Sequence, residues 1–248
     1  MSSRPKFFVA REQINNNKVT LTGSDVSHIR TVLRLKAGDS IQVISDSDKW
    51  LTVRLVEVKT KEVKGEVVAS VTINVESPLA VHLGQALTKG NKFDVILRKS
   101  VELGVRSITP LMTERCVVKT HRTEVGKKIE RWKKIVLESS KQCGRSKIPL
   151  VAEDVETLET FCRKNDHQDL KLIFWELEEK KTLKDIKLDV QPRSVAVLIG
   201  PEGGFSQAEI ENVREYGFQT VGLGPRILRA ETAPVVALAL LQSRWGDL

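Results

Sequence analysis

The sequence predicts a small N-terminal β-barrel followed by an α/β domain with a mainly parallel sheet. Two observations support this prediction. The first seventy-odd residues contain short β-branched runs separated by turn residues, a pattern typical of small barrels. Beyond Pro78, strand and helix patterns alternate, which is typical of an α/β domain. We place the domain boundary so that residues 1–74 form the first part and residues 75–248 the second.

The first part is predicted to hold four strands and one helix. The strands are KVTLTG from Lys18, SIQVIS from Ser40, WLTVRLVEV from Trp50 and KGEVVASVTI from Lys64. Polar and apolar residues alternate in LTVRLVEV, as expected for a sheet with one face in water. Ser24 is the predicted N-cap of the helix, because apolar residues recur at helical spacing after it.

The second part is predicted to alternate strands and helices. The strands are VHLGQAL, RSITPLM, KLIFWE, SVAVLIG and TVGLG. Helices are predicted for KFDVILRKSVEL, for a basic segment from about Thr123 to Cys143, and for AEIENVREYG. Ser206 and Glu209 form a capping box at the start of AEIENVREYG. The helix after Thr232 is apolar nearly all round, so we expect it to be buried.

The composition is that of a globular protein able to bind nucleic acid. Lys and Arg outnumber Asp and Glu by 40 to 32, a net charge of +8, and such a balance permits binding to RNA. Three cysteines without a C-x-x-C pair, and four histidines without metal-ligand spacing, predict neither disulfides nor a bound metal. No signal segment and no membrane span are predicted, so we expect a cytoplasmic protein.

The stretch LIGPEGGFSQAEI, residues 198–210, places a glycine-rich turn between a buried strand and a helix. Ligands of α/β proteins bind in such crevices at the carboxyl ends of strands. The glycine spacing fits neither the Walker loop nor the dinucleotide fingerprint, and Glu202 would repel a pyrophosphate. An adenosine-like, cationic ligand without phosphates is indicated, and S-adenosylmethionine (SAM) has these properties. By itself the loop leaves a SAM site and a purely geometric turn equally open.

A second segment, LGPRILRAETAPVVALALL from Leu223, repeats the layout of a strand end, a glycine turn and a helix. The helix entry carries Arg226, Arg229 and Glu231. Charges beside a buried helix are costly unless they are paired or used. An Arg229–Glu231 ion pair that fixes the loop is one interpretation, and it is compatible with a functional role.

The two segments together resemble the SPOUT methyltransferases, in particular the RsmE family of 16S ribosomal RNA uracil-N3 methyltransferases. LIGPEGGFS followed by LGPRILRAETA is the most specific part of the resemblance. Further similar stretches are HIRTVLRLKAGD from His28, HLGQALTKGNKFDVILRKSVELGVRSITPL from His82, TERCVVK from Thr113, ESSKQCGRSKIP from Glu138, and the terminal WGDL. The resemblance extends over essentially the whole chain.

The resemblance implies an N-terminal PUA-like β-barrel and a C-terminal SPOUT-type α/β domain with a deep trefoil knot. The knot would bring the ends of KLIFWE, VLIGPEGG and GLGPRILR together around a bent SAM. The residues implied to bind this cofactor are Leu198, Ile199, Gly200, Glu202, Gly203, Gly204, Leu223, Gly224, Ile227, Leu228, Arg229 and Thr232.

The resemblance also implies binding to 16S ribosomal RNA within the 30S subunit, and a homodimer with its site near the subunit interface. The residues expected to contact RNA are His28, Arg30, Arg34, Lys141, Gln142 and Arg145. The basic helix adds a denser set of lysines and arginines, for most of which a solvated helix face is the alternative. Phosphate contacts of this kind provide affinity and salt dependence rather than sequence choice.

Transfer to N3 requires loss of the uridine proton, and a fixed guanidinium lowers the cost of the uridinate. Arg229 is the expected catalytic residue, with Glu231 holding it; no proton acceptor is assigned. Two alternatives remain: another SPOUT enzyme acting on ribose 2′-O or on tRNA guanine, and a non-catalytic ribosome-binding factor. The PUA-like part and the ETA segment favour the uracil enzyme, and the intact glycines and Arg229 favour a catalyst.

Overall fold

The computed structural model describes residues 4–45, 49–117 and 122–248. The chain divides into two units, the first comprising Met1–Glu76 with Ser140–Ile148 and the second Ser77–Ser139 with Pro149–Leu248. The end of the long basic helix and the turn after it therefore belong to the first unit, which the sequence pattern does not indicate. The boundary between residues 74 and 75 stays a prediction.

The β-branched runs of the first unit form a six-stranded sheet. Its strands are β1 (Lys6–Phe8), β2 (Ile14–Asn15), β3 (Lys18–Thr22), β4 (Ser40–Ser45), β5 (Lys49–Val58) and β6 (Glu62–Thr72). The order is β1-β4-β5-β6-β3-β2, with β1 parallel to β4 and the other pairs antiparallel. Leu51, Val53 and Leu55 alternate into the core. The four predicted strands are confirmed, and β1 and β2 are too short to show a pattern.

The helix of the first unit is shorter than its pattern suggests. Helix α1 (Ser24–Ser27) continues into a π-type turn at His28–Val32, and a 3-10 turn lies at Arg11–Gln13. Gly23, with φ of +68°, occupies the N-cap position, so the prediction of Ser24 as N-cap is wrong by one residue. Glycine is suited to this reversal because it lacks a Cβ.

The second unit contains a seven-stranded sheet in which every pair among the described residues is parallel. Its strands are β7 (Ala80–Ala86), β8 (Ser107–Met112), β9 (Leu150–Val151), β10 (Glu156–Thr157), β11 (Leu170–Phe174), β12 (Ser194–Ile199) and β13 (Gln219–Val221). The order is β10-β8-β7-β12-β11-β13, with β9 beside β8. The predicted α/β class is confirmed.

Helices cover both faces of this sheet. They are α2 (Lys92–Glu102), α3 (Arg122–Cys143), α4 (Leu158–Lys164), α5 (Gln207–Glu215) and α6 (Ala233–Trp245). In β12, Val195 and Val197 pack into one core cluster and Ala196 and Leu198 into the other. Burial of both faces explains why β12 is a continuous apolar run. None of the described helices is long and apolar enough to cross a membrane.

Helix α6 is held by polar contacts as well as by burial. Gln242 is fully buried, accepts a hydrogen bond from Ser77 Oγ and donates one to the Leu103 carbonyl. Leu240 is 42% exposed, so the prediction of a helix buried all round is wrong for one face. The connection between β11 and β12 contacts α6 and also the chain that follows β13. Arg244 of α6 donates a hydrogen bond to the Ile186 carbonyl, and the Gly222 N–H, just after β13, donates to the Lys181 carbonyl at 2.8 Å.

Candidate active site

Four parallel strands of the second unit end at the same level. Phe174 of β11 is in register with Ile199 of β12 and with Val221 of β13, and Ile199 is in register with Gln85 of β7. The loops that follow these strands therefore emerge at one edge of the sheet. This is the edge at which ligands bind in open α/β sheets.

The loop between β12 and α5 is held at both ends. Ser206 Oγ accepts the Glu209 N–H at 3.2 Å and Glu209 Oε2 accepts the Ser206 N–H at 2.9 Å, which confirms the predicted capping box. Glu209 Oε1 also accepts the Glu114 N–H at 2.8 Å, and Arg115 donates to the Gly203 carbonyl at 3.0 Å. These contacts fix the main chain of the loop before any ligand binds.

Gly204 is the position in this loop where glycine is required. Its φ is +67°, a region that L-residues with a Cβ rarely adopt. A Cβ there would also overlap with the carboxylate of Glu176, which follows β11 by two residues. No hydrogen bond or ion pair engages that carboxylate within the described ranges. Glu176 is not among the cofactor residues predicted from the sequence, although its place just after a strand end was a signal.

Glu202 is paired with the start of α2. Its Oε1 accepts the Lys89 N–H at 3.1 Å and the Lys92 ammonium at 3.0 Å. Burial alone would raise the pKa of Glu202, but hydrogen bonds from backbone N–H groups and from Lys92 outweigh it and lower that pKa. The charge of Glu202 is thus neutralised within the protein. Lys89 and Lys92 are site residues that were not predicted from the sequence.

The segment between β13 and α6 forms the other wall. Gly224 has φ of +100°, and the Arg229 carbonyl accepts the N–H groups of Thr232 and Ala233 at 2.8 and 3.0 Å. Ile227 is 84% exposed. Leu223 and Leu228 are half-buried. The chain therefore runs from the sheet edge through a largely solvent-exposed loop into α6.

The predicted Arg229–Glu231 ion pair is wrong. Glu231 Oε2 lies 3.5 Å from Lys92 Nζ, and this oxygen is buried without a hydrogen-bond partner. Among the residues that the structure describes, no ion pair or hydrogen bond engages the Arg229 side chain, which is exposed. The Glu231 carboxylate, which the local sequence suggests as a partner for Arg229, is paired instead with Lys92. The two paired residues are 139 positions apart in the chain (231 minus 92), so the pair could not be predicted from local sequence.

Comparisons with known proteins decide the family. The sequence model of the RNA methyltransferase domain matches residues 75–242, and that of the RNA methyltransferase PUA domain matches residues 21–68. Ribosomal RNA small subunit methyltransferase E of Buchnera aphidicola is 33% identical over 243 residues, covering 98% of this chain and 94% of that protein. The chain belongs to the RsmE family. The resemblance read from the sequence motifs is thereby confirmed, together with the PUA-like character of the first unit.

Two solved structures are similar to this RsmE-family chain over its whole length. A methyltransferase of Legionella pneumophila in complex with SAM is 38% identical, with a TM-score of 0.90 over 99% of both chains. Ribosomal RNA small subunit methyltransferase E of Neisseria gonorrhoeae, bound to SAM, is 33% identical, with a TM-score of 0.85 over 99% of both chains. The fold of this chain is therefore one that binds SAM in these relatives.

The residues at the sheet edge of this RsmE-family protein fit such a cofactor. Glu176 presents a carboxylate that the chain itself does not use, and Gly224 leaves open space where a Cβ would stand. These features suit a ligand with hydroxyl and cationic groups that approaches the main chain closely. No group of three His, Cys, Asp or Glu within the described part of the chain could hold a metal ion.

The six residues expected to contact RNA all lie in the first unit. Arg30 and Gln142 are exposed, and Arg34 is exposed with φ of +54°. His28 is half-buried, with its ring perpendicular to that of Phe7 and the two centroids 6.0 Å apart. The structure brings together residues of two distant motifs, because segment 140–148 folds into this unit. Their contact with RNA stays a prediction.

Lys141 and Arg145 differ from the other four because they form ion pairs with carboxylates of the same unit. Lys141 lies 3.4 Å from Asp25 and over the Phe7 ring. Arg145 has a side chain only 7% exposed and pairs with Glu76 at 2.5 Å. Glu76 Oε1 also accepts the N–H groups of Ser146 and Lys147, each at 3.0 Å. These contacts fix segment 140–148 within the first unit, and contact of Lys141 and Arg145 with RNA stays a prediction.

The contacts of Glu76 with Arg145, Ser146 and Lys147 form a clamp on segment 140–148, and they lower the pKa of Glu76. Burial by itself would raise the pKa, but the Arg145 guanidinium and the N–H groups of Lys147 and Ser146 outweigh it, so the pKa lies below its ordinary range.

On the basic helix, Arg131 pairs with Asp94, and Lys133 pairs with Glu153 at 2.6 Å. A solvated, ion-paired face is therefore the better interpretation for these two helix residues.

Proposed function

We propose that this protein transfers a methyl group from SAM to the N3 atom of a uridine in 16S ribosomal RNA. The observation that carries the proposal is the level ending of β7, β12, β11 and β13 beneath a fixed glycine loop, in a chain whose full-length relatives include SAM-bound structures. The names of the RsmE relatives support ribosomal RNA of the small subunit as the substrate. The basic first unit is compatible with that partner.

The cofactor supplies a methyl group attached to a positively charged sulfur. We propose that the two loop segments wrap it mainly with main-chain groups, since few polar side chains are present there. Glu202 contributes through the shape of its loop, because Lys92 already neutralises it. Glu176 adds a carboxylate for the ligand's hydroxyl or cationic groups. The proposed cofactor residues are Leu198, Ile199, Gly200, Glu202, Gly203, Gly204, Leu223, Gly224, Ile227, Leu228, Arg229 and Thr232, with Glu176 added.

The chemistry requires an anionic uracil, because neutral N3 carries a proton and is a poor nucleophile. We propose that Arg229 stabilises this anion, since its guanidinium stays protonated and is exposed beside the proposed cofactor site. Arg229→Lys keeps the charge but loses the planar fork, so turnover should fall by about 10²-fold while SAM affinity changes less. Near-normal single-turnover rates in this variant would assign the anion to another group.

We further propose that the protein works as a homodimer on the 30S subunit and that the second unit contains a trefoil knot. Ile227, in the segment before α6, and Leu240, on α6, support the dimer because both expose apolar surface. The knot is supported by the β11–β12 connection, which contacts the chain after β13 at Gly222 and α6 at Arg244.

Arg30, Arg34 and Gln142 are the proposed RNA contacts, with His28 beside them, and Lys141 and Arg145 hold their segment in place. The cytoplasmic location stays a prediction.

Methyl transfer to defined RNA tests the function directly. The purified protein is incubated with labelled SAM and either 16S RNA or small subunits that lack the modification, and the nucleosides are analysed by mass spectrometry. We expect 3-methyluridine. A ribose 2′-O-methyl nucleoside or a methylguanosine would refute the proposed acceptor atom. Failure of the protein to bind SAM by calorimetry would refute the enzyme assignment altogether.

A further inference from the structure

Lys92 forms an ion pair with each of the two walls of the proposed site. From the first turn of α2 its ammonium lies 3.0 Å from Glu202 of the β12–α5 loop and 3.5 Å from Glu231 at the entry of α6. The Lys89 N–H, three residues before the start of α2, adds a 3.1 Å hydrogen bond to Glu202. Two loops far apart in sequence are thus joined through one cation.

The arrangement has a consequence for Arg229. Glu231 is two residues from Arg229, so their Cα atoms are at most about 7 Å apart, well within reach of two long side chains. The turn between them is fixed by the Arg229 carbonyl, which accepts two N–H groups. Without a competing cation, Glu231 and Arg229 would form the local ion pair that the sequence suggests, and the guanidinium would be neutralised.

We propose that Lys92 is a positioning residue that occupies Glu231 and so keeps Arg229 available for the substrate. The inference rests on the proposed function and adds to it a reason why Arg229 is unpaired. Lys92 acts through Glu231 and does not contact the reacting atoms. The Lys92 ammonium thereby prevents the Arg229 guanidinium from pairing with Glu231, and this competition makes the pairing within the site specific.

The kinetic test compares Lys92→Met, Lys92→Arg, Glu231→Gln and the Lys92→Met/Glu231→Gln double variant. Lys92→Met should lower kcat by about 10²-fold, with the RNA KM and the SAM Kd affected much less. Lys92→Arg keeps the cation and should retain most activity. The double variant should recover at least about tenfold in kcat over Lys92→Met, because the carboxylate that captures Arg229 is gone. Glu231→Gln alone sets the upper limit of that recovery.

A second measurement is independent of activity. The coupling between Arg229 and Glu231 is obtained from urea unfolding midpoints in a double-mutant cycle of Arg229→Met and Glu231→Gln. It should be absent when Lys92 is present and should appear in the Lys92→Met background. Equal coupling in both backgrounds, or a double variant no more active than Lys92→Met, would overturn the proposal.

Failure of the inference is distinguishable from failure of the proposed function. Wild-type protein that neither binds SAM nor methylates RNA would overturn both. Wild-type protein that is active, together with an equally active Lys92→Met variant, would overturn the role of Lys92 alone. The unfolding cycle also reports on Lys92 when a variant is too inactive to assay.

Discussion

The Glu76–Arg145 pair allows the sequence-based and structure-based interpretations of Arg145 to be separated. We consider Glu76→Ala, which removes a carboxylate that binds one buried guanidinium and two backbone N–H groups of segment 140–148. If the structure describes the role of Arg145 correctly, the variant loses stability. If Arg145 instead serves mainly as an RNA contact, removing its partner leaves the fold nearly unchanged.

The magnitude follows from burial. The Arg145 side chain is 7% exposed and that of Glu76 is 14% exposed, so solvent screens the pair little. Removing one member of a buried pair typically costs about 3–5 kcal/mol, because the remaining charge is left in a low-dielectric environment. For a chain of this size, each kcal/mol lowers the thermal midpoint by about 2–4 °C. The expected fall is therefore about 6–20 °C.

Thermal unfolding of Glu76→Ala and Arg145→Met, followed by circular dichroism, is the assay. Glu66→Ala is the matched control: Glu66 also lies in the first unit but is exposed on β6, and such substitutions usually change stability by about 0.5 kcal/mol or less. Midpoints of both test variants equal to that of the control would refute the clamp. A weaker salt dependence of RNA binding in folded Arg145→Met would then restore the RNA role.

Three further predictions follow from the contacts described. Gly204→Ala should lower stability by about 1–2 kcal/mol through its positive φ and displace Glu176, and calorimetry should show weaker SAM binding; wild-type affinity in the folded variant would place the cofactor elsewhere. Replacing Arg30 and Arg34 with Ala should reduce the slope of log K against log salt for RNA by up to about two, and an unchanged slope would exclude this surface. Because the pKa of Glu76 is lowered on folding, its contribution to stability should be complete above the ordinary glutamate pKa of about 4.3 and be lost as the pH falls through the folded pKa. Glu76→Gln should therefore show a shallower loss of stability with acid than wild type, and parallel curves would contradict this assignment.

Local patterns predicted the elements that build the sheet edge. The capping box at Ser206 and the helix from Lys92 to Glu102 were read correctly because their signals lie within a few residues of sequence. The short strands β9 and β10 and helix α4 were missed, since two-residue strands carry no periodicity. The family, and with it the expected cofactor, followed from motifs rather than from any periodicity.

The ion pairs of the candidate site and of segment 140–148 could not be predicted from the sequence. Arg145 was expected to contact RNA because it lies in a stretch similar to the RsmE family, and that contact stays a prediction. Its carboxylate partner Glu76 lies 69 residues away, so local sequence could not predict the pair. Glu231 was paired with its neighbour Arg229, whereas it contacts Lys92 from another helix. Local sequence shows which charges exist, but only the fold decides which of them meet.

The division of the first unit between residues 1–76 and 140–148 also has a consequence for synthesis on the ribosome. Glu76 leaves the exit tunnel 69 residues before Arg145, a delay of roughly 3–14 s at about 5–20 residues per second. During that time the nascent N-terminal sheet carries a carboxylate without its guanidinium. All six strands of the sheet are made by Thr72, whereas the first unit is complete only after α3 and the turn that follows it have been synthesised.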